Sequence, residues 1–300
     1  MKKLQFIALA VGCAFLTACG VKNEGLVVMT DPSYKATLFA SNKLGIGSPD
    51  GLLWHKGHLY FADEGGLALE SWNRNEGLKK LMDAGFGCES PEDLVIDSHD
   101  NIFFTDDDAG GLWEYTAEGT PRLVAGKDKG LISTEGIALA PDGSLLVGDG
   151  EVHKVFRVTQ DGNVSEFLGS EYGITKPESM VFDDRGNLYI ADNEDNVLYL
   201  LDQDHKLHRI IDRKDSFSPE TIYFAKTSLY ITDSRNHKLY IYTPGEELKT
   251  IAAFGGSLQN VQGVTVDDQG NIFLSVQSDL KHRIGKVIEI SKDETYVAKK

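Results

Sequence analysis

The sequence predicts an all-β fold, a six-bladed β-propeller with four strands in each blade. The first observation behind this prediction is a repeat: a short apolar strand begins six times, at intervals of 42 or 43 residues. Each strand starts just after a residue with an acid or amide side chain; the six are Asp50, Glu92, Glu135, Glu178, Glu220 and Gln262. Self-similarity at a period of about 40–50 residues is typical of radial or stacked repeat folds.

The second observation is the strand pattern inside each unit. The first two strands are continuous apolar runs, as at residues 94–96 and 102–105, and a polar turn separates them. A third strand alternates, as at residues 154–158, and a more polar fourth segment, such as residues 164–168, ends the unit. Continuous apolar runs indicate strands buried on both faces, whereas alternating runs indicate strands that meet water. Four such strands make one propeller blade.

The sixth unit is incomplete at the C-terminus. It supplies three strands and a short tail, residues 294–298, whereas the N-terminal segment 35–40 has the character of a fourth strand. Closing a ring with strands from both termini removes free sheet edges. We therefore expect the segment around residues 37–40 to pair in blade six.

The first eighteen residues are a separate matter. Lys2 and Lys3 precede an apolar run, residues 4–16, which is too short to span a membrane and has the layout of a signal peptide. The run ends in Leu-Thr-Ala-Cys-Gly, which resembles a bacterial lipobox, where Cys19 receives lipid and becomes the mature N-terminus. The alternative is an ordinary cleaved signal with a chance cysteine.

The lipobox interpretation divides the chain into three parts: a lipoprotein signal peptide at residues 1–18, a tether at 19–33 and the propeller at 34–300. Gly20 resembles the pattern of lipoproteins exported to an outer membrane. The expected location is therefore the bacterial cell envelope, with the lipid on Cys19 as the link to the membrane.

Charge and cysteine content narrow the partners. The formal net charge is −16, and it becomes −18 once Lys2 and Lys3 leave with the signal. Nucleic acids and anionic lipid surfaces are poor partners for such a chain. Cys88 has no cysteine left to pair with, and without a neighbouring His–Cys signature it is expected to be a structural thiol.

The recurring acid has a chemical consequence, because equivalent positions in a closed radial array form a ring. Five ionised carboxylates at a channel mouth would repel by about 3 kcal/mol for each adjacent pair at an effective dielectric near 20. A bound cation, protonation with raised pKa values, or hydrogen bonds to backbone amides must compensate. Carboxylate oxygens without His or Cys suit a hard ion, and calcium tolerates irregular oxygen ligands. A local role in capping each strand entry is the alternative.

Three stretches carry a resemblance to a known family. They are PDGLLW (49–54), PEDLVID (91–97) with NIFFTD (101–106), and PESMVFD (177–183) with NLYIAD (187–192). Over about 260 residues the chain resembles six-bladed propellers of the SMP-30/gluconolactonase-like group, and its units are also similar to NHL repeats.

The resemblance implies a divalent-metal site, with calcium or another divalent cation at the channel mouth. The implied ligands are Asp50, Glu135, Glu178 and Glu220, and Glu220 is also the implied catalytic base. Glu92 and Gln262 are further ring positions that would add ligands. The family carries amides in blades three and four, where this chain has Glu135 and Glu178, so the ring here holds more negative charge.

A second series of acids has a local explanation. Five of the six units place an aspartate at the end of the second strand: Asp63, Asp106, Asp149, Asp192 and Asp233. Turns of the Asx type explain aspartates at such positions without a function. The run from Asp106 to Asp108 is nevertheless rich enough in carboxylates to hold a second ion.

Other side chains on the loop face are candidates for contact with a ligand. His153, His237 and His282 follow second strands and are candidates for a general base or a substrate contact, with surface exposure as the alternative. The aromatic residues Phe86, Tyr172 and Phe217 are predicted to lie in the upper loops. The sequence contains no HExxH motif and no paired histidine spacing, so a zinc site is not expected.

Two functions from different classes fit these features. The first is a calcium-dependent hydrolase of a small lactone or ester, in which a ring carboxylate activates water. The alternative is a non-catalytic, NHL-like scaffold on a lipid tether that holds a protein, peptide or glycan in the cell envelope. A hydrolase needs the acids to converge in a partly desolvated site, whereas a scaffold tolerates an open, solvated channel.

Overall fold

The computed structural model describes residues 26–213, 216–279 and 284–297. These residues form six antiparallel sheets, five with four strands and one with five. The six sheets are the blades of the predicted propeller, so the fold class is confirmed. In the described ranges no helix is long and apolar enough to cross a membrane.

The first three blades each take four consecutive strands. Blade one has β3 (Pro49–His55), β4 (His58–Asp63), β5 (Ala68–Asn73) and β6 (Gly77–Asp83). Blade two has β7 (Pro91–Ile96), β8 (Ile102–Asp106), β9 (Gly111–Tyr115) and β10 (Pro121–Ala125). Blade three has β11 (Thr134–Leu139), β12 (Leu145–Asp149), β13 (Lys154–Val158) and β14 (Val164–Leu168).

The last three blades include the strands that come from the N-terminus. Blade four has β15 (Pro177–Phe182), β16 (Leu188–Asp192), β17 (Val197–Leu201) and β18 (Leu207–Asp212). Blade five has β19 (Pro219–Ala225), β20 (Ser228–Asp233), β21 (Lys238–Tyr242), β22 (Lys249–Gly255) and β1 (Leu26–Met29). Blade six has β23 (Asn260–Val266), β24 (Ile272–Asp279), β25 (Ile284–Lys292) and β2 (Tyr34–Ser41).

Short helical turns are the remaining regular structure. A 3₁₀ turn precedes the first strand in five blades: Asn42–Leu44, Ala84–Phe86, Lys127–Lys129, Ser170–Tyr172 and Gly256–Leu258. A single α-helical turn, α1 (Glu294–Val297), follows the last strand. Each 3₁₀ turn links the last strand of one blade to the first strand of the next, on the face of the ring where the first strands start.

Strands from both ends of the chain close the ring, as predicted. The N-terminal β2 pairs antiparallel with β25 in blade six and places Thr37 opposite Glu289. The pairing of β1 with β22 in blade five was not predicted, because its residues lie in the segment interpreted as a tether. Val27 is buried there, so this strand contributes to the core.

The hydrophobic core lies between blades. Six clusters of buried apolar side chains fill the six interfaces, and each cluster draws on two neighbouring blades. Between blades one and two, for example, Leu69 and Met82 pack with Leu94 and Phe104. Because the middle strands bury both faces, they require the continuous apolar runs seen in the sequence. The interfaces hold the first strands rigidly around the channel.

Candidate functional site

The six recurring residues lie together at one end of the channel because each sits in an irregular stretch of its strand. In every blade the pairing of the first and second strands shifts register there, for example between Pro49 and Leu52 and between Pro91 and Leu94. A bulge of this kind re-aims a side chain and interrupts the ladder. The bulges thus occur at the start of each ring strand, at the channel mouth.

Close contact between neighbouring first strands depends on small residues. A Cβ on Gly51 would lie 2.4 Å from the carbonyl oxygen of Glu92, and one on Gly263 would lie 2.2 Å from that of Asp50. Hydroxyl groups complete the contacts, since Ser275 Oγ donates to the Asp50 carbonyl oxygen at 2.7 Å. The backbone of Asp50 and that of Glu92 are therefore held against the adjacent blade.

The strand-end aspartates have the local role predicted for them. Asp63 accepts hydrogen bonds from the backbone N–H groups of Gly47, Ser48 and Gly66 at 2.6–2.9 Å. The other four aspartates accept equivalent bonds from their own loops, and all five are fully buried. Each aspartate ties its hairpin loop to the segment that leads into the ring strand. The prediction of local structure is confirmed.

Blade six has a glutamine where the other blades have this aspartate. Gln277 lies opposite Asn260, as Asp63 lies opposite Pro49. Its Nε2 donates to Glu64 Oε2 at 2.9 Å and to Asp50 Oδ2 at 3.4 Å. Its Oε1 accepts from Asn260 Nδ2 at 2.9 Å and Gln262 Nε2 at 3.4 Å. Gln277 was not among the site residues predicted from the sequence, although its replacement of a recurring aspartate is visible there.

Burial dominates the electrostatics of the ring. It raises the pKa of Asp50, Glu92 and Glu178 well above the usual range, and the neighbouring carboxylates raise these values further. Burial also raises the pKa of Glu135 to about 7. The pKa of Glu220 is raised by burial, although hydrogen bonds from Ser234 and Asn193 oppose that effect. The acids therefore share a desolvated space in which their charges interact.

Lys176 brings a positive charge directly into this acidic ring. Its Nζ lies 3.1 Å from Glu135 Oε1 and 3.0 Å from Glu178 Oε2. Although burial opposes its charge, the two carboxylates raise the pKa of Lys176. Lys176 was not among the site residues predicted from the sequence. A lysine stands where the other blades carry Ser48, Ser90, Ser133, Ser218 and Asn260.

The remaining ring acids accept hydrogen bonds from neutral side chains. Asn193 Nδ2 donates to Glu220 Oε2 at 3.0 Å, and Ser90 Oγ donates to Glu92 Oε1 at 3.1 Å. Among the described residues, the ring thus combines two ion pairs, both with Lys176, and hydrogen bonds from neutral side chains.

The donor set fits calcium in its chemistry but not in its arrangement. Carboxylate oxygens are suitable ligands, yet the four implied ligands contact different protein donors: Lys176, Gln277 and Asn193. No group of three or more His, Cys, Asp or Glu side chains in the described ranges has a geometry that could hold a metal ion, and this includes Asp106–Asp108. Calcium therefore stays a prediction.

A second polar layer lies one residue further along the ring strands. Asp93 Oδ1 accepts from the N–H of Leu94 at 2.8 Å, and Oδ2 accepts from the N–H of Ile137 at 3.4 Å and from Ser179 Oγ at 3.5 Å. Ser179 in turn accepts from the N–H of Ile222 at 3.3 Å. Burial raises the pKa of Asp93 to about 7. This network joins blades two to five across the channel and supports the mouth from below.

The far end of the channel combines apolar and polar surface, and His55 is among its lining residues. A cavity of about 320 Å³ opens there between the last residues of the ring strands, with Trp54, Ile96, Leu139, Phe182 and Tyr223 among its lining.

Other predicted residues are placed individually. Cys88 is buried, and its desolvation raises the pKa of the thiol, as expected for a structural cysteine. His153 is exposed, and its Nδ1 lies 2.7 Å from the carbonyl oxygen of Thr175. His237 is half-buried. His282, Cys19 and the predicted signal lie outside the described residues.

The three loop aromatics divide into two kinds. Phe86 and Tyr172 are 55% and 42% exposed and lie in the 3₁₀ turns that precede the first strands of blades two and four. Phe217 is fully buried in the interface between blades four and five, where it packs near Tyr240. The prediction of Phe217 as a contact residue is therefore wrong, because its ring is needed for core packing.

The fold and the channel mouth together define the class of protein: a six-bladed propeller with a desolvated ring of acids at one end of its channel. The model of the SMP-30/Gluconolactonase/LRE-like region matches residues 48–299, and the chain belongs to this family. The resemblance noted from the sequence is thus confirmed. No curated protein matches the chain in sequence.

Solved structures with different functions share the fold. A gluconolactonase from Xanthomonas campestris has a TM-score of 0.69 at 13% identity, over 90% of each chain. An auxiliary nutrient binding protein from Bacteroides ovatus has a TM-score of 0.68 at 12% identity, over 87% of this chain and 77% of that one. A virginiamycin B lyase from Staphylococcus aureus has a TM-score of 0.65 at 14% identity, over 87% and 100%. At these identities the likeness extends to the fold alone.

Proposed function

We propose that the channel mouth is a hydrolytic site for a small lactone or ester. The observation that carries this proposal is the convergence of desolvated acids on one end of the channel, next to the ammonium group of Lys176. Buried carboxyls with raised pKa values are suited to proton transfer near neutral pH. Family membership is consistent with this chemistry, and the structural neighbours include a gluconolactonase.

The proposed reaction uses Glu220 as the general base. Glu220 is 9% exposed, and Asn193 holds one of its oxygens. Its carboxylate takes a proton from a water molecule whose oxygen attacks the carbonyl carbon. The positive charge of Lys176, which also acts on Glu220, stabilises the oxyanion that forms. When the carbon–oxygen bond of the ring or ester breaks, Glu220 returns the proton to the leaving oxygen.

This function is tested by turnover of a panel of lactones and esters. We expect the wild-type protein to hydrolyse at least one member, and Glu178→Gln with Glu220→Gln to lose about 100-fold or more of kcat/KM, since removal of a general base typically costs that much. Glu118→Gln, which removes a charge from an exposed turn, is the control and keeps full activity. Full activity in the double variant would exclude both residues from the reaction.

A non-catalytic binding module is the second candidate. Two observations favour it: protein donors already contact the ring acids, and the exposed rings of Phe86 and Tyr172 provide apolar contact area in the turns that lead into the ring strands. The ligand would be a small molecule, peptide, glycan or envelope protein. Two results together would support this function over hydrolysis. The wild type would turn over no member of the lactone and ester panel, and calorimetry would detect binding of a ligand that Phe86→Ala and Tyr172→Ala weaken.

We also propose that the protein acts in the bacterial cell envelope. This proposal is supported by the layout of residues 1–18 and by the lipobox-like sequence that ends at Cys19 and Gly20. Lipid on Cys19 would keep the propeller at a membrane, on the outer membrane if Gly20 is read as in other exported lipoproteins.

A further inference from the structure

We propose that Lys176 is a built-in counter-ion that takes the place of a divalent cation between Glu135 and Glu178. This inference concerns how the mouth is held together and does not require the protein to be a hydrolase. It departs from the calcium site that family resemblance implies, and it rests on contacts, space and backbone anchoring.

The contacts join two adjacent blades through one ammonium group. Glu135 belongs to β11 in blade three, and Lys176 and Glu178 belong to blade four. The side chains of Glu135 and Glu178 are only 5% and 16% exposed, and that of Lys176 is 33% exposed. Two buried, ionised carboxylates that both lie within 3.0–3.1 Å of one ammonium group would repel each other and destabilise the folded state if no cation lay between them. The lysine supplies that cation from within the chain.

The neighbouring residue leaves space for the lysine side chain. Gly150 occupies the position after the strand-end aspartate, where the other blades carry Glu64, Asp107, Asn193, Ser234 and Ser278. A Cβ on Gly150 would lie 3.0 Å from Lys176 Cγ, 3.3 Å from its Cε and 3.4 Å from Glu135 Oε1. The first two of these distances are tighter than ordinary packing. Blade three thus has its smallest residue where the lysine from blade four crosses to Glu135.

The backbone of Lys176 is also fixed. Its N–H donates to Asp192 Oδ1 at 3.1 Å, and the N–H of the preceding Thr175 donates to Asp192 Oδ2 at 2.7 Å. Asp192 is fully buried, so this anchor is part of the blade. The lysine therefore starts from a defined point and reaches the two carboxylates without loop rearrangement.

A calcium ion and the lysine compete for the same oxygens. Calcium binds carboxylate oxygens at 2.3–2.6 Å. An ion at that distance from Glu135 Oε1 and Glu178 Oε2 would stand in the space of an ammonium group that is already 3.0–3.1 Å from both atoms. The two positive charges would also repel. Removal of the lysine charge should therefore make the thermal stability of the protein depend on calcium, whereas that of the wild type should not.

The test measures thermal unfolding of chelator-treated protein with and without millimolar calcium chloride. We expect calcium to change the wild-type melting temperature by less than about 1 °C. Lys176→Met should melt several degrees lower without calcium and regain about 3 °C or more with it. The matched control is Lys154→Met, because Lys154 is 34% exposed and contacts Glu166 on the surface. This variant should respond to calcium as the wild type does.

Two results would overturn the proposal. One is calcium stabilisation of the wild type equal to that of Lys176→Met, since the ion and the lysine would then not compete. The other is a Lys176→Met protein as stable as the wild type and indifferent to calcium. If Lys176→Met alone does not fold, addition of Glu135→Gln and Glu178→Gln should restore a folded, calcium-indifferent protein. Failure of this triple variant to fold would show that the lysine acts by packing, which also overturns the proposal.

The readout is separate from catalysis. A wild type without turnover but with the expected melting behaviour would refute the proposed hydrolysis and leave the counter-ion intact. A wild type that hydrolyses a panel member but is stabilised by calcium as much as Lys176→Met would support the proposed hydrolysis and refute the counter-ion.

Discussion

Glu70 is a buried acid on the third strand of blade one, at a position where the third strands of blades two to five carry an aromatic residue. Glu70 lies on β5 opposite Phe61, where the third strands of blades two to five carry Trp113, Phe156, Tyr199 and Tyr240. Glu70 is only 2% exposed. Burial, followed by the charge of Asp63, raises its pKa to about 7. The folded state therefore holds a proton on Glu70 at pH values where the unfolded chain has released it.

This protonation predicts a pH-dependent stability. Between pH 4.5 and 7 the folded state binds more protons at this site than the unfolded state, so the contribution of Glu70 to stability falls as the pH rises. Glu70→Gln removes that loss, and we expect its melting temperature to exceed that of wild type by about 2–4 °C at pH 8, with a smaller difference at pH 5. Melting curves across this range check the prediction, with the exposed Glu118→Gln as control. A difference that does not vary with pH would contradict it.

For single residues, the sequence predicts the side chains that recur from repeat to repeat, but it does not reveal the role of side chains that depart from the repeat. The ring acids and strand-end aspartates could be predicted because six aligned repeats show them repeatedly. Lys176 and Gln277 are departures from the repeat, and comparison of repeats treats a departure as variation. Only their contacts with Glu135, Glu178 and Asp50 show that these two side chains neutralise or bridge the ring.

The strands show a similar division. The predicted third and fourth strands of blade three match β13 and β14 in both bounds. The bulges were not predicted, since they depend on how the first and second strands pair in space. β1 has four apolar residues without flanking pattern, and its partner β22 is more than 200 residues away. Local sequence therefore gave no sign of this pairing.

The two N-terminal strands should differ greatly in importance. A chain that begins at Pro32 lacks only β1 and should lose a few degrees of melting temperature, because β1 contributes one short edge pairing and buried Val27. A chain that begins at Asn42 also lacks β2, which leaves the edge of β25 unpaired and exposes Ala40's partners in the core. We expect this second chain to lose cooperative unfolding, as judged by circular dichroism and calorimetry. Cooperative unfolding of both chains would contradict this order.

For the whole molecule, the repeat period was sufficient to predict the architecture. Six units of nearly equal length, each with two inner apolar strands, bury those strands only by packing blade on blade in a ring. The six hydrophobic interfaces confirm this arrangement. The activity does not follow from the architecture, because the structural neighbours include a lactonase, a lyase and a nutrient binding protein.

The attachment to a membrane is a prediction about the whole protein. Wild-type protein made in a bacterium with its signal should fractionate with membranes and need detergent for release. Cys19→Ala should move it to the soluble fraction or leave the signal uncleaved, because no thiol is left to receive lipid. Cys88→Ala is the control and should stay with the membrane, since that thiol is buried in the core. A wild-type protein found in the soluble fraction would contradict the lipoprotein assignment.

The pairing of β2 with β25 also sets the order in which this protein can fold. Thr37 lies opposite Glu289, a separation of about 250 residues, and contacts so distant in sequence form late because closing the intervening chain costs entropy. Blades one to four can assemble from local hairpins while the chain is still emerging. Blade six cannot be completed until the last strand is available. We therefore expect the joining of the two chain ends to be the slow final step of folding, with an exposed sheet edge until then.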